Sequence, residues 1–68
     1  MRDPKRLDKF YDELKALHKN YASDWRFGQT MCNYMRYCYE VAKVDPFFFE
    51  EDKFLKSFKE FFEWSFEQ

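Results

Sequence analysis

An all-α domain is what this sequence predicts, and three observations predict it. Apolar residues recur at three- and four-residue steps in three separate stretches. No stretch alternates apolar and polar residues as a half-buried strand would. A single glycine in 68 residues is too few for a hairpin-rich fold. The reading is one compact three-helix domain over residues 1–68, with an extra short helical turn near 45–49.

The first helix is expected from about Pro4 to Asn20. Leu7, Phe10, Tyr11, Leu14, Leu17 and Tyr21 mark its apolar stripe, with Lys and Asp/Glu side chains between them. Asp3 offers an N-cap acceptor, and Pro4 lacks an N–H that the first helical position does not use. Tyr21-Ala22-Ser23 is read as the turn.

The second helix is expected from about Trp25 to Lys43, capped by Ser23 or Asp24. At 100° per residue, Phe27, Met31, Tyr34, Met35, Cys38, Val41 and Ala42 share one broad face. Arg26, Gln29, Asn33, Arg36, Tyr37 and Glu40 lie opposite, with Trp25, Cys32 and Tyr39 on the border. Asp45-Pro46 breaks the helix, because a residue before proline is driven out of the helical region. It also repeats the Asp-Pro start signal, so a helical turn is expected at Asp45–Phe49. Glu50, Glu51 and Asp52 then suit the positive end of a third helix. Phe54, Leu55, Phe58, Phe61, Phe62 and Ser65 mark one side of it, to about Phe66. Its Lys56/Glu60 and Lys59/Glu63 pairs run in the less favourable order and add little.

Composition bounds the function. A quarter of the residues are aromatic, and each such side chain can bury roughly 150–250 Å². That is more than a three-helix core absorbs, so some rings are expected at the surface, where they would meet a protein partner or a second copy. The net charge of −1 gives no general attraction to nucleic acid or membrane. The charges are polarised, however. Residues 1–43 hold nine Lys/Arg against six Asp/Glu, a net of +3, and residues 44–68 hold three against seven, a net of −4. Cys32 and Cys38 stand six apart, on different sides of one helix, which argues against an internal disulfide. With no secretory signal and no long apolar run, a reduced cytoplasmic setting and no membrane are expected.

No constellation carries catalysis. The lone histidine, His18, and the two cysteines have no evident third orienting group, so no catalytic residue is assigned and the chain is not read as an enzyme. The same residues lack zinc-site spacing, and the acidic run Glu50-Glu51-Asp52 lacks the alternation and glycine of a calcium loop. No metal and no cofactor is expected. For nucleic acid, Arg26, Arg36 and Lys43 interleave with Trp25, Tyr34, Tyr37 and Tyr39, but three cations make a thin basic footprint.

The strongest surface candidate is the stripe Arg26, Gln29, Asn33, Arg36 and Tyr37, since Arg and Tyr are enriched in interface hot spots. The competing reading has Gln29 and Asn33 bonding to the backbone of the Asp45–Phe49 connection. Gly28, beside this stripe, is expected to let another backbone or a Phe ring come close.

The pattern of short motifs resembles a family of small uncharacterised bacterial and phage-associated helical proteins. Its features are an opening Arg-Asp-Pro-x-Arg, an amphipathic helix, Asp-x-Arg-x-Gly-Gln with an Asn four residues on, and Asp-Pro-Phe followed by an acidic pair. Here these are Arg2-Asp3-Pro4 with Arg6, then Asp24, Arg26, Gly28-Gln29 and Asn33, then Asp45-Pro46-Phe47 with Glu51-Asp52. The chain departs from the pattern in its wealth of Phe and Tyr and in a helix running on to Gln68. The resemblance implies a compact helical domain of bacterial or mobile-element origin and implies no enzyme activity.

The expected function is therefore a non-enzymatic protein-interaction module that works by occlusion. An inhibitor encoded by a phage or mobile element, covering a bacterial defence protein such as a CRISPR effector, fits the size and the lack of chemistry. The surplus rings could instead build a homo-oligomer. The alternative is a small nucleic-acid-binding adaptor using the Arg/Tyr face of helix two.

Overall fold

The computed structural model describes residues 2–67. It contains α1 (Arg6–Ala22), α2 (Phe27–Tyr37) and α3 (Glu51–Phe66). A π-helical turn, Cys38–Ala42, extends α2, and a 3-10 turn, Pro46–Phe48, stands in the connection to α3. The described residues hold no strand, and the predicted three helices and extra turn are all present.

The helix ends depart from expectation for local reasons. Asp3 is not the N-cap of α1, which is Lys5 with no side-chain cap bond; its Oδ1 instead accepts from the Lys5 N–H at 2.9 Å in the turn before the helix. Arg6, Leu7 and Asp8 donate to carbonyls three residues back, a tight opening turn of 3-10 type that delays α1 to Arg6. At its other end α1 runs through Tyr21 and Ala22, where a turn was expected. Both side chains face the core: Ala22 is 2 % exposed, and the Tyr21 ring stacks on Phe62 at 5.3 Å between centroids. The chain turns at Ser23–Trp25 instead, closed by the Trp25 N–H on the Ala22 carbonyl at 3.0 Å.

Neither Ser23 nor Asp24 caps α2. Its N-cap is Arg26, in extended conformation and with no side-chain cap bond. The turn is fixed by Trp25, whose ring packs against Phe61, Phe62 and Phe66, so the helix starts only after it. His18 ties the two helices together at this point. Its Nε2 lies 2.9 Å from the Trp25 carbonyl and 3.3 Å from Thr30 Oγ1. A carbonyl can only accept, so Nε2 carries the proton. The Thr30 hydroxyl donates to the Arg26 carbonyl at 3.1 Å, and this leaves buried Thr30 satisfied.

The α-helical part of the second helix ends at Tyr37, short of the expected Lys43. Through Cys38–Ala42 the turns widen, and the N–H groups of Lys43 and Val44 both reach the Cys38 carbonyl. Lys43 ends the element with a left-handed φ of 58°, the usual way a helix terminates. A wider turn rotates each residue by less than 100°, so the apolar face does not continue as drawn from the sequence. Val41 is 46 % exposed and Ala42 is exposed as well. Phe27, at the other end of the same face, is 60 % exposed because it precedes the region where α2 meets α3.

Helix α3 is the shared spine. Arg6 pairs with Glu51, Phe10 meets Phe54 and Tyr21 stacks on Phe62, so α1 and α3 run parallel. Helix α2 crosses α3 around Tyr34, which is fully buried and lies 5.0–5.6 Å from Phe54, Phe58 and Phe61. Its hydroxyl donates to Ser57 Oγ at 2.9 Å, giving the ring's one polar atom a partner. Burial then raises the Tyr34 phenol well above its usual range, with smaller contributions from its neighbours. Phe58, Phe61, Phe62 and Cys38 complete the core. Cys32 is exposed and Cys38 buried, and both thiols are free.

The opposite charge poles meet inside the domain. Arg2 pairs with Glu50 and Arg6 with Glu51, each at 2.6 Å. The Arg2–Glu50 pair is largely solvated, which limits its contribution to stability, whereas the Arg6–Glu51 pair is more covered.

Candidate functional site

The five residues of the predicted stripe split into two groups. Arg26 and Gln29 are exposed near the start of α2, with the Arg26 carbonyl committed to Thr30. Asn33, Arg36 and Tyr37 come together at an open cleft of about 270 Å³ between α2 with its π turn and the C-terminal half of α3. Trp25, Tyr37, Phe61 and Trp64 supply its rings, while Asn33, Arg36 and Glu40 are its polar groups. Arg36 is exposed, and among the described residues it makes no ion pair.

Tyr37 does not stand on the outer face as the 100° wheel placed it. It is half-buried, with Phe61 at 5.5 Å and Trp64 at 5.3 Å between ring centroids. Burial raises its phenol pKa, and the nearby Glu60 charge adds to this. Tyr37 stands three residues after buried Tyr34, about 60° round the helix from it, and the same Phe61 ring meets both. Gln29 and Asn33 make no hydrogen bond to the Asp45–Phe49 connection among the described residues.

Gly28 does not serve close packing either. A Cβ at this position would meet nothing within 4 Å, and its φ is not positive. It sits in open space on the first turn of α2, so the expected role for a missing side chain is overturned.

Two further surfaces were not singled out from sequence. The first is the 3-10 turn, where Phe47 and Phe48 are each 79 % exposed and meet edge to face at 4.9 Å. The turn itself is firmly held. Asp45 Oδ1 accepts from the Phe47 N–H at 3.0 Å and from the Tyr39 hydroxyl at 3.1 Å, and the bond to Asp45 raises the Tyr39 phenol. The Phe49 N–H closes on the Pro46 carbonyl, and Pro46 is buried. Phe49 lies back against the domain under Lys53, whose Nζ is 4.7 Å from the ring centroid. The run of three Phe was the available signal: a single tight turn cannot aim three consecutive side chains at one core.

The second surface is a groove of about 260 Å³ where α1 meets the start of α2. Phe58 lies at its buried floor, Leu14, His18 and Thr30 line it, and the exposed rings of Tyr11 and Phe27 form its rim. Lys15 is the only lysine, arginine or carboxylate lining it.

Of the rings counted toward base stacking, Tyr34 is fully buried and Trp25 and Tyr37 are half-buried in the core. The described residues contain no cluster of His, Cys, Asp and Glu able to hold a metal ion. No described helix is long and apolar enough to cross a membrane. No protein-family model matches this chain, and no curated protein and no solved structure matches it.

Proposed function

We propose that this chain is a non-enzymatic protein-interaction module. The observation that carries the reading is the exposure of seven of its 17 aromatic residues: Tyr11, Phe27, Tyr39, Phe47, Phe48, Trp64 and Phe66. Burying a fully exposed ring is worth roughly 1.5–3 kcal/mol, and a docked partner would supply a share of this for each ring in proportion to its exposure. The cleft at Arg36 has the make-up of an interface hot spot: aromatic floor, guanidinium and amide at the rim, partial exclusion of water. A rigid domain of this kind acts by covering a functional surface on its target. The short-motif resemblance supports a bacterial or mobile-element setting, and an inhibitor of a defence protein such as a CRISPR effector is the target class proposed.

The test is capture of a bacterial target by tagged protein, compared with Arg36→Glu and Trp64→Ala. Both variants should keep the helical signal and lose the target. Equal recovery by Arg36→Glu would remove the cleft from the reading. Salt-sensitive binding of labelled oligonucleotides would favour the nucleic-acid adaptor instead.

A further inference from the structure

The chain's two tryptophans, Trp25 and Trp64, both line the cleft between α2 and α3. Tyr37 and Phe61 join them, and the neighbouring pairs are tilted by 46–52°, with centroids 5.3–6.3 Å apart, so none is a closed stack. Two opposite charges, Arg36 and Glu40, line the same cleft. They stand four residues apart, a spacing at which such side chains pair on a helix. Yet neither enters an ion pair among the described residues, where Arg2 pairs with Glu50 and Arg6 with Glu51. Asn33, one turn before Arg36, likewise makes no side-chain hydrogen bond among the described residues. The cleft therefore holds donors and an acceptor that are not spent on each other.

We propose that the cleft binds a small zwitterion, one molecule that carries both an ammonium and a carboxylate. The carboxylate is held by Arg36 and Asn33, and the ammonium by Glu40 and the aromatic faces. The inference goes beyond the interaction reading and stands without it, although both use this cleft.

Each end of such a ligand finds its own chemistry. A guanidinium matches a carboxylate with paired N–H donors, and an asparagine amide can donate as well. An ammonium within about 6 Å of a ring centroid is attracted to the ring face, to tryptophan most of all. The aromatic wall also lies in negative surroundings. The last turn of α3 carries no basic residue, so its carbonyl end, near Trp64 and Ser65, keeps its negative dipole. The Glu60 charge acts on the Tyr37 phenol from the same helix. A ligand with one charge would satisfy Arg36 or Glu40 and set its apolar end against the other, at a desolvation cost. At about 270 Å³ the cleft falls just below the roughly 300–1,000 Å³ of sites for drug-sized ligands, which suits a molecule the size of one amino acid. Apolar amino acids and betaines, whose ammonium is methylated, share this chemistry.

Tryptophan fluorescence of the intact chain tests the proposal, since both tryptophans line the cleft. The probes are L-leucine and glycine betaine. Isoamylamine is leucine without its carboxylate, isocaproate is leucine without its ammonium, and tetramethylammonium stands for betaine without its carboxylate. At least one zwitterion should change the signal saturably; leucine would mark a protonated ammonium as the ligand group, betaine a methylated one. Each single-charge analogue should bind at least about tenfold more weakly. Arg36→Gln and Glu40→Gln, both at exposed positions, should keep the helical signal and weaken the zwitterion by a similar factor. No saturable change with either zwitterion overturns the proposal, and so does an analogue or a variant that binds as tightly as its parent. Capture of a protein target without zwitterion binding overturns this inference and leaves the interaction reading standing; zwitterion binding without target capture does the reverse.

Discussion

Phenylalanine has opposite fates in two regions of this molecule. On α3, Phe58, Phe61 and Phe62 are at most 1 % exposed. On the connection before it, Phe47 and Phe48 are 79 % exposed. The difference lies in the backbone, not in the side chains. The α-helix repeats every 3.6 residues, so positions 58, 61 and 62 return to one face, where α1 and α2 both press. A lone 3-10 turn offers no such repeat, and its direction is set by Asp45 and buried Pro46. Aromatic content therefore measures core and exposed surface together, and only the local period separates them.

The comparison breaks most sharply at Phe62. Phe62→Ala should cost about 3–5 kcal/mol, comparable to the whole stability of a domain this small, and leave the chain largely unfolded by circular dichroism. Phe47→Ala should move the melting midpoint little, within about 0.5 kcal/mol. Equal losses from both would mean that the connection belongs to the core.

Tyr34 gives the next effect. Tyr34→Phe removes the bond to Ser57 and should cost about 0.5–1.5 kcal/mol at neutral pH. At high pH the order should change. Burial holds the folded phenol neutral, so its folded pKa exceeds the unfolded value near 10. Stability is then intact below about pH 10 and falls above it by up to roughly 1.4 kcal/mol per pH unit. Denaturant midpoints across that window should drop less steeply for Tyr34→Phe than for the wild type.

Gly28→Ala should stabilise the domain by a few tenths to about 1 kcal/mol, because the added methyl meets only solvent. A lower melting temperature would reveal a contact this packing does not contain. The smallest effect belongs to Arg2→Ala, near zero and within about 0.5 kcal/mol, since Arg2 and Glu50 are 61 % and 66 % exposed.

The sequence carries the helices through their periodic apolar positions, and the capped turn at Asp45-Pro46 through its two start signals. It carries less about where helices stop. Tyr21 and Ala22 read as a turn until the ring under Tyr21, Phe62, is known, because extending α1 depends on a contact far away in the chain. Tyr37 shows the same limit at the candidate site. A helical wheel places Tyr37 by its angle alone, whereas the Phe61 ring that meets Tyr34 is wide enough to meet Tyr37 as well. Arg36 and Asn33 stayed together because they are close in sequence. Arg26 and Gln29 do not line the cleft, although Trp25, next to Arg26 in the chain, does.

The π turn at Cys38–Ala42 has a consequence for how this chain can change. Its hydrogen bonds span one residue more than an α-helix uses, so the segment behaves as a helix that has absorbed an insertion. Removing one residue between Tyr39 and Ala42 should restore ordinary α geometry while leaving Tyr34 and Cys38 in place. The Lys43 exit, the Asp45 cap and the Phe pair would be re-aimed, and buried Pro46 would have to move with them. Variation in length at this spot therefore steers the projecting rings at the expense of the Tyr39–Asp45 bond.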